Sequence, residues 1–119
     1  METYQAVIER AAAAREATDA DTANRLALDL ALVAIDAGHV AADLELHRKD
    51  LLHGIRDRVM QERSLAKTPA EEVARSEGQY LEYCQRIASL SETAERAKVW
   101  SRYFGTRARL LAMAQAVGA

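Results

Sequence analysis

The chain has 119 residues, of which 50% are hydrophobic and 29% are charged, and its formal net charge at pH 7 is −2. This length suits one domain, so we predict a single helical domain over residues 1–119. Because Cys84 is the only cysteine, an internal disulfide and a cysteine-rich zinc site are both excluded.

The N-terminal segment and the apolar runs indicate a location. Residues 1–10 carry charges and lack the apolar centre of a signal peptide. The longest strongly apolar run, from Leu26 to Ile35, contains Asp29 and is too short to span a bilayer. We therefore expect a cytoplasmic protein that does not enter a membrane.

The first predicted helix runs from about Thr3 to Ala17. Its apolar residues recur at the three- and four-residue spacing of a helix face. They are Tyr4, Val7, Ile8, Ala11 and Ala14. The helix ends in a polar stretch, residues 18–22, where Asp21 or Thr22 is expected to cap the next helix.

The second predicted helical region runs from about Thr22 to Ala66. One apolar stripe follows it: Leu26, Leu30, Val33, Ala37, Val40, Leu44, Leu51, Ile55 and Val59. Four further apolar residues are expected to widen the buried surface: Leu28, Leu32, Ile35 and Leu46. The stripe keeps its phase across Gly38, which favours one long helix that bends at Gly38, with two separate helices as the alternative.

The sequence Thr68-Pro69-Ala70-Glu71 predicts the start of a third helix. Threonine would be the cap, proline the first helical residue, and Glu71 would complete a capping box. This helix is expected to end near Leu90, and Ser89 or Ser91 is expected to cap a fourth helix that reaches about Val117. Core-facing residues predicted on the two helices are Val73, Tyr80, Leu81, Cys84, Ile87, Ala88, Trp100, Tyr103, Phe104, Ala108, Leu111, Ala114 and Val117.

These elements predict an all-α fold. The expected architecture is a four-helix antiparallel bundle with a long central helix, or a five-helix bundle if Gly38 breaks that helix. A long helix with apolar stripes on two sides also favours a homodimer.

An aspartate recurs every seventh residue along the central helix, at Asp29, Asp36, Asp43, Asp50 and Asp57. Seven residues are nearly two turns, so these carboxylates line one side of the helix, together with His39, His47 and His53. Such a stripe is typical of a solvated face with local Asp–His pairs. It is also compatible with docking to a basic partner, with a pH-dependent contact, or with a metal site. For partner binding the candidate residues are Asp36, Asp43, Asp50 and Asp57.

A metal site on this stripe would need a second chain, because two ligands from one helix do not complete a zinc site. We therefore predict no metal and no cofactor for one chain. A metal-dependent helical oligomer is kept as a second alternative.

The charges are unevenly distributed. Residues 1–45 hold nine acids and three bases, whereas residues 85–119 hold six bases and two acids. Lys98, Arg102 and Arg109 share one face of the last helix, which makes nucleic-acid binding an alternative function. An acidic pI and aromatic residues at core spacing argue against nucleic acid as a partner.

No nucleophile elbow, Walker loop or Gly-x-Gly-x-x-Gly segment occurs in the chain. We therefore predict that the protein is not an enzyme. The favoured function is protein–protein interaction by a small adaptor, regulator or occluding inhibitor. An anti-CRISPR-like inhibitor of nucleic-acid machinery is one form of this hypothesis.

Overall fold

The computed structural model describes residues 3–16 and 19–118, and within this part of the chain it contains four α-helices and no strand. The helices are α1 (Tyr4–Ala13), α2 (Ala20–Arg63), α3 (Lys67–Ser76) and α4 (Gly78–Gly118). The prediction of an all-α fold with four helices and a long central helix is confirmed for these residues.

Helix α1 begins where its sequence predicts. The side chain of Thr3 accepts a hydrogen bond from the backbone N–H of Ala6 at 3.1 Å, which satisfies one of the free donors at the helix start. The helix ends at Ala13, earlier than the predicted Ala17, which lies with Thr18 outside the described residues. The predicted apolar stripe is confirmed, since Val7, Ile8 and Ala11 are buried and Tyr4 and Ala14 are half-buried.

The cap of α2 is Asp19, and not Asp21 or Thr22 as the sequence had suggested. The Asp19 carboxylate accepts hydrogen bonds from the backbone N–H of Asp21 at 2.8 Å and from the Thr22 hydroxyl at 2.8 Å. These bonds, the Thr22 hydroxyl first, hold the pKa of Asp19 below its ordinary value. Because Asp21 and Thr22 are already helical, their N–H groups are the donors that need a cap.

Helix α2 runs without interruption through Gly38, so the two-helix alternative and the five-helix count that depends on it are wrong for the described residues. A Cβ added at Gly38 would meet the Cβ of Ala94 at 4.0 Å, which is ordinary van der Waals contact. The bend at Gly38 stays a prediction.

The start of α3 differs from the predicted capping box. The helix begins at Lys67, its cap residue is Ala66, and no side chain makes a capping hydrogen bond there. Pro69 is therefore the third helical residue, where its missing N–H costs nothing because the first helical turn has free donors anyway. The chain enters this turn through Ser64, which has a positive φ of 52°.

The break before the last helix lies at Glu77 and not at Ser89 or Ser91. Glu77 has extended backbone angles, with φ −65° and ψ 138°, and its carbonyl accepts the first hydrogen bond of α4, from Leu81. Serine is tolerated inside a helix, and both serines are exposed residues within α4. One extended residue before Gly78 ends α3, and Arg75 in the last turn with Gly78 just beyond it is a helix-end signal that the sequence interpretation did not use.

The chain divides into two compact units. Unit 1 comprises Met1–Gly38 and Ser91–Ala119, and unit 2 comprises His39–Leu90. That residues 1–119 form a single folding domain stays a prediction.

The core of unit 1 joins α1 with segments of α2 and α4. Its buried residues are Val7, Ile8, Ala11, Ala23, Leu26, Leu30, Val33, Ala97, Phe104 and Ala108. Phe104 is fully buried and stacks beside Trp100, with ring centroids 6.0 Å apart. The hydroxyl of Ser101 donates to the carbonyl of Ala27 at 2.8 Å. Small residues at these contacts let the helix backbones approach closely.

The core of unit 2 is smaller. Its buried residues are Leu52, Ile55, Val59, Ala70, Ala74 and Tyr80. The Tyr83 hydroxyl donates to the carbonyl of Leu44 at 2.6 Å, and Arg48 donates to the Tyr80 hydroxyl at 3.4 Å. The charge of Glu45, followed by the interaction with Tyr80, raises the pKa of Arg48. Cys84, predicted to be a small buried group, is half-buried beside this core.

Several predicted core residues are exposed. The expectation that Leu28, Leu32, Ile35 and Leu46 widen the buried surface is wrong, because each of them is more than half exposed. On α4, Leu81, Tyr103 and Val117 are also exposed, as are Ala88 and Ala114. A helix has only one side toward its own core, and these residues lie on the other side.

Candidate functional site

The heptad aspartates do not share one environment. Asp29 and Asp36 lie beside α1, whereas Asp43, Asp50 and Asp57 are exposed residues of unit 2. The structure therefore places only one of the four predicted partner-binding aspartates, Asp36, in unit 1.

Two of the aspartates tie α2 to α1. Arg10 of α1 donates to the Asp29 carboxylate at 3.2 Å, and the hydroxyl of Tyr4 donates to Asp36. The hydrogen bond to Asp36 raises the pKa of Tyr4, because a phenol that donates to a carboxylate releases its proton less easily. These carboxylates stay accessible, since the Asp29 side chain is 35% exposed and Asp36 is an exposed residue.

The aspartates of unit 2 make weaker contacts. The Nδ1 atom of His47 lies 2.9 Å from the carbonyl oxygen of Asp43 and 3.9 Å from its carboxylate. Arg56 contacts the neighbouring Asp57 at 3.0 Å. Both aspartates are mostly exposed, at 73% and 64% of the side chain. These carboxylates therefore face water, and exposed ion pairs of this kind add little to stability.

Within the part of the chain that the structure describes, no group of three or more histidine, cysteine, aspartate or glutamate side chains is placed to hold a metal ion. His47 approaches one carboxylate, that of Asp43, at the spacing expected for an Asp–His pair.

An exposed apolar stripe lies next to Asp29 and Asp36. Leu28 and Leu32 are each 66% exposed and Ile35 is 56% exposed, and they are spaced by four and three residues. We call these three residues the α2 outer face. The buried residues Leu26, Leu30 and Val33 alternate with them, so α2 is apolar on two opposite sides in unit 1.

A second exposed apolar stripe lies on α4, also in unit 1. Five apolar residues and one threonine are spaced by four and three along almost three heptads: Val99, Tyr103, Thr106, Leu110, Met113 and Val117. We call these six residues the α4 outer face. A shallow groove of about 430 Å³ lies over its first half, lined by Val99, Arg102, Tyr103, Thr106, Arg107 and Leu110.

The three basic residues predicted for nucleic-acid binding lie along one edge of the α4 outer face. Lys98 contacts Glu95 at 3.3 Å. Arg102 and Arg109 are exposed, and neither makes an ion pair within the described residues. The basic face therefore consists mainly of two arginines beside apolar side chains.

Sequence reasoning did not identify which residues form either outer face. Leu28, Leu32 and Ile35 were expected in the core, as were Tyr103 and Val117. The available signal was that α2 and α4 each have more apolar residues than one core-facing stripe can contain. Periodicity identifies such stripes, but does not say which of two stripes the core covers.

Comparisons of this chain with family models, with curated protein sequences and with solved structures find no match. No described helix combines the length and the hydropathy that crossing a membrane requires.

Proposed function

We propose that this protein is a non-enzymatic, cytoplasmic interaction module, and that a partner protein with a basic surface docks on its aspartate-lined side. In this role it acts as a small adaptor, regulator or occluding inhibitor, including an inhibitor of nucleic-acid machinery of the anti-CRISPR-like kind. The observation that carries the proposal is the α2 outer face, an exposed apolar stripe bordered by Asp29 and Asp36.

Apolar side chains and carboxylates contribute to binding in different ways. Burying Leu28, Leu32 and Ile35 against a partner would remove apolar surface from water, which is the main source of affinity. The carboxylates would attract a basic partner before contact and accelerate association. Asp36, Asp43, Asp50 and Asp57 have this second role in the proposal, since they are exposed acids spaced along the same helix.

The antiparallel packing of the helices is part of this proposal. Within unit 1, Ala27 contacts Ser101 and Gly38 lies near Ala94. Residue numbers therefore rise along α2 as they fall along α4, which supports an antiparallel pair.

The experiment begins with affinity capture, which identifies a binding protein, and continues with association kinetics at several salt concentrations. The test variant combines Asp36→Asn, Asp43→Asn and Asp50→Asn, which removes three charges without changing side-chain size. The matched control combines Glu72→Gln, Glu82→Gln and Glu92→Gln, which removes three charges from other exposed positions.

We expect the aspartate variant to associate more slowly than the control at low salt, and the difference to shrink at high salt because mobile ions screen exposed charges. We expect Leu32→Asp to weaken binding mainly by faster dissociation, because it removes an apolar contact that becomes buried when the partner binds. Equal association rates of the two charge variants would contradict the role of the aspartates.

Nucleic-acid binding by Lys98, Arg102 and Arg109 is the alternative. An electrophoretic mobility shift assay at low salt tests it, and a shift that Arg102→Gln with Arg109→Gln abolishes would replace the interaction proposal. The pairing of Lys98 with Glu95 reduces the charge available for phosphate and favours the protein-binding function.

A further inference from the structure

The α4 outer face has the residue spacing of a coiled-coil seam. Its members alternate at intervals of four and three, which is the pattern that keeps apolar side chains against a second helix. Four of them are at least 60% exposed: Val99, Leu110, Met113 and Val117. The core of unit 1 uses the opposite side of α4, through Ala97, Phe104 and Ala108. The hydroxyl of Tyr103 donates to the carbonyl of Arg15 at 2.6 Å, whereas the other four apolar residues of the α4 outer face remain exposed and available to a second helix.

Charged residues border the two outer faces in a complementary way. On α4, Arg102 and Arg109 each precede a face residue, Tyr103 and Leu110, by one position. On α2, Asp29 and Asp36 each follow a face residue, Leu28 and Ile35, by one position. These are the flanking positions from which coiled-coil helices form ion pairs across the seam. Both pairs of charges are seven residues apart, so two parallel helices would keep them in register.

Pairing either face with a copy of itself gives no such ion pairs. Two parallel α4 outer faces would place Arg102 opposite Arg107, and two antiparallel ones would place Arg102 and Arg109 opposite each other or themselves. Like charges at these positions oppose association. Two α2 outer faces would place Asp29 and Asp36 opposite aspartates, or opposite the uncharged edge that holds Ala31 and Gly38.

Pairing an α2 outer face with an α4 outer face brings opposite charges together. Arg102 and Arg109 then lie opposite Asp29 and Asp36 in a parallel arrangement. On the other side of the seam, the uncharged edge of α2 with Ala31 and Gly38 meets the edge of α4 with Trp100 and Arg107. Arg107 therefore has no like charge opposite it on that edge. Because each face lies on the side of its helix away from the core of unit 1, one chain cannot join its own two faces.

We propose that the α4 outer face binds the α2 outer face of a second copy of this chain, with the two helices parallel. This deepens and rests on the proposed function, because a second copy supplies the apolar surface with basic edges that the α2 outer face would bind. The contact is heterologous, so repeated association produces a ring or an open chain of copies. A different partner that docks on the α2 outer face would compete with this self-association.

The test uses light scattering on the full chain over a wide range of protein concentration. We expect the mean mass of the wild type to rise with concentration, and to fall when salt screens the arginine–aspartate pairs. Leu110→Asp disables the α4 outer face and Leu32→Asp disables the α2 outer face, so each variant alone is expected to have the mass of one chain. Leu81→Asp, at an exposed position of unit 2, is the matched control and should behave as the wild type.

Mixing the two variants distinguishes this pairing from all others. The Leu32→Asp variant keeps an intact α4 outer face and the Leu110→Asp variant keeps an intact α2 outer face. Their mixture should therefore form a one-to-one complex that does not grow further. Circular dichroism of each variant confirms that its helices are intact.

Two results would overturn the proposal. One is a wild type with the mass of one chain at every concentration. The other is continued self-association of Leu32→Asp or of Leu110→Asp, which would show that a face pairs with itself. Neither result bears on the proposed function, because binding of a different basic partner is measured in the separate kinetic experiment.

Discussion

Units 1 and 2 use their apolar residues differently. Eight of the ten large exposed hydrophobic residues in the described chain belong to unit 1, and only Leu46 and Leu81 belong to unit 2. Yet unit 1 also has the larger core, which includes the fully buried Phe104, Ile8 and Leu30. Its exposed apolar residues are therefore additional to the core and do not result from poor packing.

This difference in exposed apolar surface makes unit 1 the region suited to association, whereas the apolar residues of unit 2 serve mainly to stabilise its own fold. In unit 1, α2 and α4 each have a second apolar side, and single-chain folding leaves both of these sides in water. In unit 2 the exposed sides of the same helices are mostly charged or polar, for example at Lys49, Asp50 and Glu82. Contiguous exposed apolar residues of this kind often mark interaction surfaces.

The largest expected effect is that of Phe104→Ala in unit 1. Removing a fully buried aromatic ring leaves a cavity beside Trp100 and Tyr103, so we expect a loss of about 3–5 kcal/mol in the free energy of unfolding. Urea denaturation followed by circular dichroism measures it. Val117→Ala, at a position 88% exposed, is the control and should change stability little. A loss as small as that of the control would mean that Phe104 is not a core residue.

Ile55→Ala in unit 2 is expected to cost somewhat less, about 2–4 kcal/mol, because a smaller side chain leaves the core. Hydrogen exchange of the backbone amides, measured for each segment of the chain, shows which unit is destabilised. We expect faster exchange of the amides of residues 39–90 in Ile55→Ala, and of residues 91–118 in Phe104→Ala. Equal acceleration of both segments by both variants would mean that the two units unfold together.

Glycine replacement in α2 also compares the two units, but here the substitutions are expected to stabilise the protein. Gly38→Ala in unit 1 and Gly54→Ala in unit 2 should each stabilise the protein by about 0.5–1 kcal/mol, since alanine loses less backbone entropy in a helix. An added Cβ meets only ordinary contact at Gly38 and nothing within 4 Å at Gly54. Thermal unfolding measures both. Destabilisation by Gly38→Ala alone would indicate that α2 needs glycine there for a bend.

The smallest expected effect is the pH dependence contributed by Asp19 at the start of α2. Its pKa is lower in the folded protein than the ordinary value of 3.8, so the unfolded chain binds more protons between these two values. The stabilisation is therefore complete above about pH 5 and disappears as the pH falls through the folded pKa. We expect the stability difference between the wild type and Asp19→Asn to shrink in acid. A difference that is constant from neutral pH to acid would contradict a titrating cap.

Local patterns predicted much of the fold. The first helix, the long helix over residues 20–63 and the buried positions Leu26, Leu30, Val33, Ile55 and Val59 follow from apolar spacing, because a helix must place such residues on one side. The patterns failed where a boundary depended on one residue. The break at Glu77 is marked only by the glycine that follows it, and the threonine before Pro69 resembles a cap that the structure does not use.

The candidate surfaces were predicted only in part. The period-seven aspartates were visible at once, and so was the shared face of Lys98, Arg102 and Arg109. The leucines beside the aspartates were assigned to the core, since a sequence does not show how many neighbours a helix has. That Leu28 and Leu32 face water depends on where α1 and α4 pack against α2.

The sequence by itself therefore determined that the chain is helical, where its longest helix lies and which residues repeat at helical spacing, because these properties depend on local backbone preference and on hydrophobic periodicity. Only the tertiary structure decided which of two apolar stripes on α2 and on α4 is buried, because that choice depends on contacts between segments distant in the chain. The stripes that the core leaves exposed are the ones from which we infer association.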